Sequence, residues 1–276
     1  MNRRSFLQTA ALAACGTFLG GRAIGADKST KPRIGVQLWS VKKLCEKDFP
    51  GTLKALKEMG YAGVQCGGFF GHTAPELKRL FADLGLAPAG MQMQADRIVK
   101  PENLAASVAF AHDLGAPYLF VPYFDAKTSD DWKRFGEQLA TASAAFKKAG
   151  IRLGYHNHQH EFRDTFDGVC KLEFLFKNTS PDICLQLDIG HCTLAGSDPV
   201  FWINKYSGRI PAVHAKAASK ISGAVGGPTD AVKWDAVLPA CESSGVEWYV
   251  VEAEVRQDSL DDVRASMRFF KSKGRA

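Results

Sequence analysis

No acidic residue precedes Asp27, and no run of five basic residues occurs anywhere in the chain. The second absence removes the electrostatic footprint expected of a nucleic-acid partner. The apolar stretch near the N-terminus is diluted by Gly, Thr and Gln before it reaches the ~20 residues a membrane span requires, which argues against an uncleaved anchoring helix. There is no Cys-x-x-Cys pair. Cys45, Cys66, Cys170, Cys184, Cys192 and Cys241 are scattered without compact spacing, so neither a cysteine-based zinc site nor a disulfide framework is specified, and they read as buried structural thiols. No low-complexity tract, linker or second-domain boundary interrupts the chain.

What is present first is a leader. Asn2-Arg3-Arg4-Ser5-Phe6-Leu7-Gln8 is followed by a short Ala-rich run, Gly20-Gly21 and small residues at Ala23, Gly25 and Ala26. This pattern reads as a twin-arginine export signal over residues 1–26 and predicts a periplasmic protein. Leu12-Ala13-Ala14-Cys15-Gly16 also resembles a lipoprotein box. Lipidation at Cys15 is the one route by which the sequence would place the protein on a membrane. Without Arg3, Arg4 and Arg22 the formal charge falls from +6 to +3, too small a surplus to suggest a polyanionic partner. With 46% hydrophobic and 23% charged residues the remainder has an ordinary globular composition and can bury a full core.

Beyond Lys31, short apolar runs of strand character alternate with longer segments of helical period. The runs begin near 34, 63, 87, 118, 152, 183, 212 and 248. Helices are predicted over Phe49 to Met59, Ala74 to Leu84, Leu104 to Leu114, Asp130 to Ala149, Leu172 to Lys177, Val232 to Glu242 and Ser259 to Lys271, with Gly60, Gly85, Gly115 and Gly150 as stops. Lys220 to Asp230 reads as a long Gly-rich loop. Eight strands alternating with helices predict a single-domain α/β fold, a (β/α)8 TIM barrel over residues 33–272, close to the ~250 residues typical of that architecture.

In such barrels the chemistry stands at the C-terminal ends of the strands. Five of the seven histidines lie between 156 and 214. The fifth run ends Tyr155-His156-Asn157-His158, with His160 and Glu161 just beyond; the sixth ends at Asp188, the seventh carries His214 and Lys216, and the eighth ends at Glu252, with Glu254 two residues on. Carboxylate, imidazole and carboxylate from three consecutive strand ends converge naturally on one divalent ion, and mixed O and N ligands suit Mn, Co, Mg or Zn. Each has a plainer reading: a helix cap for Asp188, a satisfied core residue for His214, a surface ion pair for Glu252.

Residues two apart in a strand face the same way, so His156 and His158 are expected to point into the barrel and Asn157 toward the helices. Both histidines are candidates for ligation or proton transfer, Glu252 is a further candidate base, and Glu161 is a candidate fourth ligand. His160, outside the alternation, reads as a surface residue. His191, Lys216, Trp39, Gln92 and Glu254 are candidate substrate contacts, with Tyr123 and Phe124 as further apolar walls.

These residues carry a resemblance. Ile34 to Ser40, Asp48 to Leu53, Met59 to Val64, Gly154-Tyr155-His156-Asn157-His158, Leu187 to Cys192, Val213-His214-Ala215-Lys216 and Gly245 to Glu252 together resemble the sugar phosphate isomerase/epimerase family, the xylose-isomerase-like barrels, from Arg33 to about Lys271. The resemblance implies a divalent metal held by Glu, Asp, His and Glu of strands five to eight, and proton transfer at a carbon next to a carbonyl. Asp188, His214 and Glu252 take three of those positions, and His156 or Glu161 the first. The chain departs from the family at the end of strand two, where Gln65 replaces a frequent Glu, and at the end of strand three, where Gln92 to Gln94 replace a frequent His. An amide cannot exchange protons.

Three functions follow as expectations: a metal-dependent isomerase or epimerase of a free sugar or keto-sugar, a lyase cleaving 3-keto-glycosides by elimination, or an exported sugar-binding protein with reduced catalysis. A DNA-repair endonuclease on the same barrel would need a multi-metal cluster and a basic face, against which the small charge and the leader both speak.

Overall fold

The structure, a computed structural model, describes residues 31–276; the leader, its cleavage after Ala26 and the alternative at Cys15 lie outside these residues. Eight parallel strands form a closed barrel: β1 (Arg33–Gln37), β2 (Gly63–Cys66), β3 (Ala87–Gln92), β4 (Tyr118–Val121), β5 (Arg152–His156), β6 (Cys184–Asp188), β7 (Ala212–Lys216) and β8 (Trp248–Glu252), with β8 closing onto β1. The expected single barrel is therefore the fold, and the strand starts agree within a residue.

Helix boundaries follow local chemistry. Asp48 caps Phe49–Met59 by accepting from the Gly51 N–H at 2.9 Å, and Gly60, at φ 106°, ends it in a left-handed conformation that a side chain would oppose. A capping box of Thr73 and Glu76 starts Ala74–Asp83. Short elements with too few residues to show a period were not legible: the turns of Leu38–Val41 and Lys42–Lys47, the helices Ala95–Val99, His160–Arg163, Ile189–Leu194 and Pro199–Lys205, and a hairpin of Thr165–Phe166 against Val169–Cys170. No regular element lies between Lys216 and Trp234. Asp230 organises that loop by accepting from the N–H groups of Ala218, Gly226 and Val232 and the indole of Trp234. The six cysteines are free thiols, all but Cys170 buried.

Period-2 alternation divides the barrel interior into two levels. Toward the N-terminal ends of the strands Trp248, Val250, Tyr118, Phe120, Cys184, Ala212 and Ala89 form a closed apolar plug, separate from the large core between sheet and helices. Glycines on neighbouring strands make room for the rings: a Cβ at Gly35 would sit 3.3 Å from the Trp248 ring, and one at Gly154 2.7 Å from Phe120. Two residues further along the same strands the inward positions become Glu252, His214, Gln186 and His156, then Asp188 and Lys216, all buried. The plug is the floor on which the polar layer stands.

Gly154→Ala is expected to destabilise the barrel by about 1–3 kcal/mol, because its Cβ would fall 2.6 Å from the Cys184 carbonyl oxygen and 2.7 Å from the Phe120 ring in a layer with no room to yield. Urea unfolding of the variant checks this. An unchanged midpoint would mean that the plug is loosely packed.

Candidate metal centre and substrate cavity

Neighbour pairing sets the height of each polar side chain. Asp188 ends β6 and pairs with His214 of β7, while Glu252 ends β8 and pairs with Lys216, so His214 lies on the same inward face two residues deeper. His156 ends β5 beside Gln186. One donor atom from each of His156, Asp188, His214 and Glu252 lies within 4.8 Å of the others. The fourth partner of the expected trio is thus His156.

Glu161 is elsewhere. It sits in the one-turn helix His160–Arg163, wholly buried; its Oε1 accepts from the Tyr155 hydroxyl at 2.6 Å and its Oε2 from the His158 N–H at 2.8 Å, with the His160 imidazole at 3.2 Å. Both oxygens are occupied, which corrects the expectation that it reaches the metal. Its place is structural: it anchors the backbone that carries His158. His160 likewise is not a surface residue, since its Nε2 lies 3.1 Å from the Phe124 carbonyl oxygen.

The cluster's electrostatics are those of a cation site. Burial opposes ionisation of Asp188 and Glu252, yet the surrounding imidazoles and the Lys216 ammonium hold both carboxyls below their ordinary range. Burial likewise opposes a charge on His214, but Glu252 at 3.1 Å and Asp188 at 3.8 Å raise it to about 9. Its other nitrogen meets Gln65 Oε1 at 2.6 Å, and that oxygen also accepts from Gln37. Burial and the neighbouring imidazoles push His156 well below its ordinary value. Asp188 Oδ2 and His156 Nδ1 are buried without a hydrogen-bond partner. Buried polar atoms rarely stay unpaired, and a set of two imidazoles and two carboxylates that contains two such atoms fits a divalent ion, for which His214 would give up its proton. Asp188 also fulfils the plainer reading, because its Oδ1 caps the next helix at the His191 N–H (2.7 Å). One oxygen orients the carboxylate and the other is left for a ligand.

Above the cluster opens a cavity of about 640 Å³, lined by His156, His158, Glu252 and Glu254 on one side and by Gln92, Met93, Gln94, Arg97 and Phe110 on another, with Trp39, Phe69 and Tyr123 also in its wall. His156 and His158 face the same space, as the alternation requires, with rings 5.0 Å apart. Burial and the nearby His191 lower His158 to about 4, so its imidazole is neutral around pH 7. Asn157 does not point to the helices; its Oδ1 accepts from the Asp188 N–H and ties β5 to β6.

Trp39, Gln92 and Glu254 line the cavity. His191 and Lys216 do not. His191 packs behind His158, 4.9 Å between rings, with its Nδ1 against Gln159, and Lys216 is held by Glu252 at 3.1 Å and by Glu254. Phe124 is no wall either: it stacks on Phe135 at 3.9 Å between ring centres. Arg97 was missed, and nothing in its five-residue helix could have marked it.

A closed eight-stranded barrel with a buried four-donor cluster at its C-terminal mouth places the molecule in the class of α/β-barrel proteins built around one polar centre. The chain belongs to the xylose isomerase-like TIM barrel family, which it matches over residues 53–273. It is similar to the inosose dehydratase of Lacticaseibacillus casei, with 25% identity over 86% of this chain and 89% of that one. Among solved structures it is similar in fold to a sugar phosphate isomerase/epimerase from Parabacteroides distasonis (TM-score 0.76, 23% identity, 91% and 96% of the two chains) and to an L-ribulose 3-epimerase (TM-score 0.63, 20% identity, 88% and 94%).

Elemental analysis of purified variants tests the centre. His156→Ala, Asp188→Ala, His214→Ala and Glu252→Ala are each expected to lose most bound metal, whereas Glu161→Gln keeps it. Glu161→Ala should instead lower stability by about 1–3 kcal/mol by stranding the buried Tyr155 hydroxyl and His158 N–H. Unchanged metal in all four alanine variants would remove the site.

Proposed function

We propose that the protein is a divalent-metal-dependent enzyme that abstracts a proton next to a carbonyl on a free sugar or keto-sugar, with His158 as the base. One observation carries this reading: His158 is the imidazole that lines the cavity beside the four-donor cluster without belonging to it. When bound, the ion polarises carbonyl and hydroxyl oxygens of the substrate. His156, Asp188, His214 and Glu252 would hold it, and two imidazoles among four ligands favour Mn, Co or Zn over Mg.

The chain's own part follows from placement. A ring nitrogen of His158 takes the carbon-bound proton, while Glu161 and Tyr155 fix the backbone from which that ring projects. Gln92 and Gln94 offer amide donors and acceptors to hydroxyls, and Trp39 and Tyr123 offer apolar faces to a sugar ring. The walls are chemically unequal: among the described residues no carboxylate or imidazole of β2, β3 or the turns after them lines the cavity. Epimerisation inverts a carbon, which calls for a second acid on the opposite face. A single base instead returns the proton on the face it came from, as in isomerisation, or passes it to a neighbouring hydroxyl or glycosidic oxygen as the C–O bond breaks and that group departs as water or an alcohol. Similarity to a dehydratase adds weight to the elimination branch. The leader, read as an export signal, favours unphosphorylated substrates in either case.

Incubating Mn-loaded protein with keto-sugars and 3-keto-glycosides in deuterium oxide tests the reading. We expect deuterium at the carbon next to the carbonyl, and a rise in ultraviolet absorbance where elimination forms an enone. His158→Gln should lower exchange by about 10²–10⁴-fold with metal content unchanged. Sugar binding without exchange in any substrate would mean a binding protein instead.

A further inference from the structure

We propose that Arg97 binds a carboxylate on the substrate, so that the molecule turned over is a keto-sugar acid and not a neutral sugar. The inference rests on reading the cavity as the substrate site and adds the chemical class of what enters it. Arg97 lines the cavity from the wall that follows β3 and, among the described residues, makes no ion pair. The other charged groups at the mouth are satisfied by one another: Lys216 by Glu252 and Glu254, His214 by Glu252 and Asp188. Arg97 is the cation left over.

The side chain is also presented from a braced turn. Its helix, Ala95–Val99, is anchored by the following helix, Pro101–Leu114, through two backbone carbonyls: Ser107, fully buried, donates to the Arg97 carbonyl oxygen at 2.8 Å, and Asn103 donates to that of Asp96 at 2.9 Å. Ile98 is buried beneath the turn. The turn is fixed while the guanidinium itself is exposed at the cavity wall that also carries the uncharged amides of Gln92 and Gln94, and its planar fork matches the two oxygens of a carboxylate and can engage both. A neutral sugar would leave that fork unmatched.

L-Sorbose and 5-keto-D-gluconate are a matched pair of probes, differing only in that the terminal carbinol of the first is a carboxylate in the second. Titration calorimetry on the Mn-loaded full chain is expected to show the acid binding about tenfold or more tightly than the neutral sugar, the range of a charge-assisted hydrogen bond. Raising the salt concentration should weaken the acid alone. In Arg97→Gln the two affinities should fall within about twofold of each other, with L-sorbose affinity and the unfolding midpoint unchanged. A preference that survives in Arg97→Gln would show that the four-donor cluster holds the carboxylate, and overturns the proposal. So would equal losses for both sugars, which mark Arg97 as wall packing, or a wild type that binds L-sorbose as tightly as the acid. Binding of neither probe would overturn the reading of the cavity as a keto-sugar site, and Arg97's role with it.

Discussion

His214 is completely buried, and both of its nitrogens are engaged: one by Gln65 of β2, the other by Glu252 of β8 with Asp188 of β6 close by. A single ring thereby links four strands of the barrel at one level. None of these groups could be buried alone, since an unpaired carboxylate or imidazolium in a dry interior costs several kcal/mol. Removing any one strands the others. The whole polar layer is therefore a unit that holds together through charge balance.

The unit depends in turn on the apolar plug below it. Trp248, Val250 and Glu252 occupy successive inward positions of β8, so the strand that contributes the largest filler also contributes a member of the four-donor cluster. Slipping its register by one residue would send Glu252 outward and Trp248 with it. The glycines at 35, 63 and 154 admit the rings, and the rings hold the strand ends at the heights where four donors meet. Packing in the lower half of the barrel thus sets the geometry of the donor cluster in the upper half.

Most of this was legible in the sequence, for reasons that also explain the failures. Strands buried on both sides and bounded by glycine stops announce themselves, and the polar residues at or near the close of each run are barrel-mouth residues by construction; hence Asp188, His214 and Glu252. The ambiguity between His156 and Glu161 could not be resolved by periodicity, because a one-turn helix beginning at His160 turns Glu161 back toward Tyr155. Lys216 and His191 illustrate a different limit. A position at a strand end says that a side chain is near the site, not whether it faces the cavity or pairs with a neighbour behind it. Arg97 marks a third, since its place in the cavity depends on contacts with a helix that follows it.

Two amides, Gln65 and Gln92, stand toward the ends of β2 and β3, and their surroundings show what they contribute. Gln65 accepts from His214 and Gln37, and Gln92 donates to Gln186 at 3.2 Å; each is built into a hydrogen-bonded layer that a carboxylate would disturb by adding another buried negative charge. The consequence is a barrel whose titratable residues near the cluster come from strands five to eight, while strands two and three supply neutral polar atoms and, beyond them, a guanidinium. On the proposed reading, such a site would move a proton on one face of a substrate and grip it on the other. That division of labour fits a reaction which breaks a bond beside a carbonyl better than one which inverts a centre, because only the latter demands proton exchange from both walls.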